Sequence, residues 1–73
     1  METTIKGWIA RDKEDGGFAG ELNLFHNRPW RSSLWDVWNG NTEPLMLPYN
    51  SFPDLTWEDE PRKVTITIEE EKE

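Results

Sequence analysis

No cysteine occurs in the 73 residues, so neither a disulfide framework nor a thiolate metal site can be built, and stability has to come from packing. A single histidine, His26, rules out a multi-histidine metal site. As a lone general base it would still need a nucleophile or an oriented water held in a pocket. Flanked by Asn27, Arg28 and Pro29, it reads as an exposed turn residue, and the chain as non-enzymatic, without metal or cofactor. No apolar run approaches the ~20 residues that span a bilayer, and METTIKGWIARD has no apolar stretch behind a basic start. The expectation is a cytoplasmic protein with no membrane partner. Bases are also scarce: eight Lys and Arg against fifteen Asp and Glu give a net charge of -7. Phosphate repels such a chain, which disfavours nucleic acid and anionic lipid and favours a protein partner with a basic surface.

What the chain has instead is tryptophan. Five Trp, three Phe and one Tyr supply large apolar areas in a domain near the lower size limit for a self-sufficient core. Charged residues reach 32% and the mean hydropathy is -0.88, but the charges gather at turns and at the C-terminal end. Residues 58–73 carry seven acids and three bases, net -4.

Alternation identifies the strands. In Ser51–Ile68, SFPDLTWEDEPRKVTITI, the residues Val64, Ile66 and Ile68 fall on one face and Thr65 and Thr67 on the other, with Phe52, Leu55 and Trp57 as the nearest cover. Thr3–Arg11 is a first strand, in which Gly7 marks a place where another group, such as a Trp from a neighbouring strand, packs close to the backbone. Asp12–Gly17, DKEDGG, is a reversal, and Phe18–Phe25 is its return arm. Leu34–Trp38 resumes the alternation, Asn39-Gly40 carries the residues of a type I′ turn, and Pro44–Tyr49 returns as an edge strand because its prolines lack donors. One helical turn at most fits Asn50–Asp54. The fold class is therefore all-β in a single domain over 1–73: a small twisted antiparallel sheet or open barrel of about five strands. Its parts are two hairpins, 3–25 and 34–49, and a strand 62–69 placed centrally beside the first, with 70–73 as a frayed acidic tail. An open edge in so small a sheet invites a second copy, making a homodimer an expectation.

Gly7-Trp8-Ile9-Ala10-Arg11-Asp12, Leu22-Asn23-Leu24-Phe25 with Arg28-Pro29, and above all Phe52-Pro53-Asp54-Leu55-Thr56-Trp57-Glu58-Asp59-Glu60-Pro61 resemble a group of short proteins of gut bacteria and their phages and mobile elements. The resemblance spans most of the chain, and the FP-x-LTWEDEP run is its most specific part. It implies a small β-rich domain of phage origin and brings no catalytic residues.

Two surfaces are candidates for binding. Glu58, Asp59 and Glu60, with Glu69, Glu70 and Glu71, form an acidic pole that can steer a basic protein and occupy a surface meant for phosphates, acting as an accessory factor or inhibitor. The alternative is an aromatic and cationic platform of Arg28, Trp30, Arg31 and Trp38 for a small ligand or a single strand of nucleic acid. A chain this short needs most of its Trp inside, so Trp8, Trp35 and Trp57 are assigned to the core, and Trp30 and Trp38 to the surface. As a metal site the acidic triplet is poor, since adjacent acids on extended chain diverge and lack the glycine of a calcium loop.

Overall fold

A computed structural model describes residues 2–14, 20–34 and 36–71. These residues hold six strands: β1 (Glu2–Arg11), β2 (Leu22–Phe25), β3 (Trp30–Arg31), β4 (Trp38–Asn39), β5 (Leu45–Leu47) and β6 (Arg62–Glu69). Four form one antiparallel sheet in the order β5-β2-β1-β6, and β3 pairs with β4 in a separate two-stranded piece. No helix occurs among the described residues, the sheet stays open, and the all-β class stands.

The bounds of β1 and β6 follow the alternation of their sequences, and β1 pairs antiparallel with β2 through Trp8↔Phe25 to Arg11↔Leu22. Asp15 to Gly17, assigned to the turn, Phe18 and Ala19, assigned to the return arm, and Lys72 and Glu73 of the expected tail lie outside the described residues. β6 does lie beside β1, in register from Glu2↔Glu69 to Ile9↔Arg62, but at the edge of the sheet and not at its centre.

The second expected hairpin, 34–49, does not form. Asn39 belongs to β4, whose partner is β3 upstream (Trp30↔Asn39, Arg31↔Trp38), while β5 crosses to β2 (Leu22↔Leu47, Leu24↔Leu45). Gly40 serves close packing here: a Cβ on it would come within 2.6 Å of the Phe25 ring. Burial outweighs turn chemistry, because Leu47 gains a place beside the fully buried Leu22 that a hairpin with Trp38 could not offer. Pro44 and Pro48 flank β5, which takes the edge position expected of a donor-poor strand.

Register and alternation divide the sheet into two faces, each with its own small core. On one, Ile9, Leu22 and Leu55 are buried, with Leu24, Leu47 and Val64 against them. On the other, Ala10, Phe25 and Trp38 are buried, with Trp8 and Trp57 against them. The segment before β6 contributes Leu55 to the first core and Trp57 to the second, so it wraps the sheet from face to face. Gly7 lies on the first face, but the groups closing over it are Ile66 Cδ1 and Leu24 Cδ1, not a tryptophan.

Of the residues expected to cover β6, Leu55 alone is fully buried; Phe52 remains 43% exposed and the far end of the strand is bare, with Ile68 at 54%. β2 reaches only to Trp8, so from Glu2 to Gly7 the first strand has β6 alone as neighbour. The outer half of β1 and β6 is thus a two-stranded ribbon continuing beyond the four-stranded part of the sheet.

Candidate functional site

At the closed end of the sheet Arg11 does what no motif in the sequence announced. It is 6% exposed, and its five N–H groups meet five different backbone carbonyls: Nε donates to Leu55, Nη1 to Gly20 and Tyr49, and Nη2 to Ser51 and Phe52, over 2.7–3.1 Å. The guanidinium fork is saturated, its charge held by carbonyl dipoles with no carboxylate among its acceptors in the described residues. Phe52 adopts φ 50°, a region that costs a residue with a Cβ roughly 1–2 kcal/mol. The strained residue sits where the carbonyls of Ser51 and Phe52 converge on one nitrogen.

The neighbouring Asp12 works on the other face. Its carboxylate accepts the Trp38 backbone N–H at 3.0 Å, while the Trp38 indole N–H donates to the Arg11 carbonyl at 2.8 Å. Burial raises the Asp12 carboxyl above its ordinary value; the bond from Trp38 opposes this, and the charge of Glu21 adds to it. An open cavity of about 650 Å³ adjoins these groups, lined by Arg11, Tyr49, Leu55, Thr56 and Trp57 among others. Because every Arg11 donor is committed to the backbone, its cation offers a ligand no hydrogen bond.

The two surfaces singled out in the sequence meet each other. Arg28 pairs with Glu60 at 3.1 Å, and Arg31 reaches the same carboxylate at 3.9 Å. Arg31 also donates to the Trp57 carbonyl, and its guanidinium carbon lies 4.7 Å from the Trp38 ring centroid and 5.3 Å from that of Trp57. Those rings contact edge to face at 5.5 Å. The basic cluster therefore closes over the second core and spends much of its charge on the acidic triplet. Trp38 as a surface anchor is corrected: it is 6% exposed, the most buried of the described tryptophans. Trp30, at 49%, does lie on the surface. Trp8 and Trp57 are half-buried members of the second core, and Trp35 lies outside the described residues.

Within the triplet, Asp59 is also occupied, accepting from the Thr56 N–H at 2.8 Å and its hydroxyl at 3.2 Å. Glu69, Glu70 and Glu71 are exposed at the opposite end of β6, roughly 25 Å away at ~3.3 Å per residue, so the six acids make two separate clusters. The distal cluster gains Glu2, the cross-strand partner of Glu69. His26 is exposed, and the described residues contain no group of acids or histidine placed to hold a metal ion. The fold and its surfaces define a small open-sheet β protein with a protruding ribbon. Comparison with protein-family models, with curated proteins and with solved structures gives no match.

Proposed function

We propose that the protein is a non-enzymatic binding module whose ribbon engages a protein bearing a basic surface with an apolar patch. The observation that supports this is the juxtaposition at the ribbon's end. Ile5 and Ile68, 40% and 54% exposed, share one face, and Glu2, Glu69, Glu70 and Glu71 surround the tip. Carboxylates directly opposite one another, as Glu2 and Glu69 are, weaken a sheet. A basic partner would relieve that repulsion while covering the isoleucines, and the charge would hasten encounter. The sequence resemblance suggests a mobile-element accessory that works in a host cytoplasm by occupying a phosphate-binding surface of a basic host protein. Nothing in the geometry favours the Arg28–Trp30–Arg31–Trp38 platform to a similar degree, since three of its four residues are engaged within the fold.

The test is capture from bacterial lysate by immobilised protein at low and moderate salt, beside the variant Glu70→Lys/Glu71→Lys. A specific basic protein that is retained at low salt, weakened at moderate salt and lost by the variant is the expected result. Recovery of no specific protein, or binding indifferent to salt and to the substitutions, would overturn the reading.

A further inference from the structure

The two edges of the sheet are guarded very differently. β5 is three residues long and bounded by Pro44 and Pro48, devices that prevent strands from adding to it. β6 is eight residues long and contains neither proline nor glycine, and among the described residues no strand lies beyond it. An edge of that length is a template for another strand.

Its sequence specifies which strand. Residues 62–70 read Arg-Lys-Val-Thr-Ile-Thr-Ile-Glu-Glu: two bases, five uncharged β-formers, two acids. We infer that β6 pairs antiparallel with β6 of a second copy about a two-fold axis at Ile66, joining two four-stranded sheets into one of eight strands. In that register Ile66 faces its own copy, Val64 faces Ile68, and Thr65 faces Thr67. Lys63 faces Glu69 and Arg62 faces Glu70, each pair occurring twice by symmetry. The axis must pass through a residue, because a two-fold normal to a sheet keeps side chains on their own face, which requires each residue to oppose one of the same parity. Moving it to Thr65 sets Arg62 against Ile68 and Lys63 against Thr67; moving it to Thr67 sets Val64 against Glu70. Parallel pairing in register aligns like charges. Ile66 alone matches both the charges and the apolar residues. Arg62 already binds Asp54 at 3.1 Å, whereas the Lys63 ammonium lies over the Trp8 ring, 5.8 Å from its centroid, and has no ion pair among the described residues, so the discriminating contact is Lys63 with Glu69. A foreign strand is the competing occupant, but a copy of this strand supplies both charged ends in the complementary order by itself.

The dimer would use the edge of β6, and the binding function its face and tip; Glu69 and Glu70 enter both, whereas Lys63 belongs to the edge alone and so separates the two. The test is sedimentation of the full chain over micromolar to millimolar concentration at ~0.15 M salt, where repulsion between two copies of charge -7 is screened beyond ~8 Å. A reversible monomer–dimer equilibrium is expected. Lys63→Glu and Glu69→Lys should each weaken it by roughly tenfold or more, since two attractive cross-strand pairs become repulsive. An equimolar mixture of these two variants should associate as a heterodimer, because both cross-strand pairs are then again an acid against a base. The two substituted positions face each other with opposite charges, and the unchanged Glu69 of the first variant faces the unchanged Lys63 of the second. A monomer throughout, a dimer that neither reversal weakens, or a mixture that stays monomeric overturns the proposal. Hydrogen exchange of the unsubstituted chain provides a check that needs no variant: protection of residues 62–70 should rise with concentration, and protection independent of concentration across a dimerising range counts against this edge.

Discussion

At the scale of single residues, Arg11 and Asp12 are adjacent charges used in opposite ways. The five carbonyls that Arg11 collects belong to three stretches of chain, at Gly20, at Tyr49 to Phe52 and at Leu55. An ammonium group has three donors and no planar fork, so Arg11→Lys leaves at least two buried or half-buried carbonyls without their donor. At about 1–3 kcal/mol for each, the loss is about 2–6 kcal/mol, most of what a domain of this size has. A chemical denaturation curve of Arg11→Lys should show a midpoint far below that of the parent or no folded baseline, and an unchanged midpoint would remove Arg11 from its place in the fold. Asp12 carries the reverse sign. Its carboxyl titrates higher in the folded chain than in the unfolded one, so its stabilising contribution is full below the unfolded value and is lost as pH rises through the folded value. Asp12→Asn stays neutral throughout while keeping an oxygen for the Trp38 N–H. Thermal melts at about pH 7 and pH 4 should therefore show the parent gaining on Asp12→Asn as the pH falls, and a gap that is constant or moves the other way contradicts the burial argument.

At the scale of strands, Gly7 and the pair β3–β4 show how much can be read from local pattern. A Cβ at Gly7 would meet Ile66 Cδ1 at 2.9 Å, the Phe25 carbonyl oxygen at 3.0 Å and Leu24 Cδ1 at 3.2 Å. Two of these are side-chain ends that can yield, but the carbonyl is fixed by the backbone, so Gly7→Ala should destabilise by about 1–3 kcal/mol, as overpacking does. A melt showing no loss would mean that β1 and β2 can separate at this point. For the tryptophans, Trp38→Ala should cost about 3–5 kcal/mol and bring the chain to the brink of unfolding. Trp57→Ala, truncating a half-buried ring, should cost less, and Trp30→Ala should leave the melt cooperative. Ranked melting temperatures check the order, and a Trp30 variant less stable than the Trp38 variant would invert it. The sequence made β1, β6 and the β1–β2 pairing legible because alternation is a local property that burial reinforced. Arg11 remained hidden, since nothing local distinguishes a strand arginine that ends in solvent from one whose carbonyl partners lie up to 44 residues away. Asn39-Gly40 misdirected because turn chemistry describes what the backbone tolerates, whereas pairing is decided by which apolar side chains find cover. The candidate acids were legible as charge, but their division into two clusters depends on the length of β6 and on where Arg28 and Arg31 fall.

At the scale of the whole molecule, stability is concentrated at one end. The wrapped end holds both cores and the Arg11 and Trp38 bonds, while the ribbon has neighbours on one edge only and little cover. In dilute solution, amides of Glu2–Lys6 and Thr65–Glu69 should exchange through local opening, and those of Ile9, Ala10 and Leu22 only through global unfolding. Uniform protection along β1 would show that the ribbon is held as firmly as the core. The pairing of β1 with β6 also sets a timetable for synthesis. Fifty residues separate the end of the first strand from the start of the last. At ~5–20 residues per second the ribosome takes roughly 3–10 s to make them. During that interval a nascent β1 has no β6, and from Glu2 to Gly7 it is bare on both edges. A neighbouring nascent chain on the same message, or a chaperone, meets this strand before its own partner has been made.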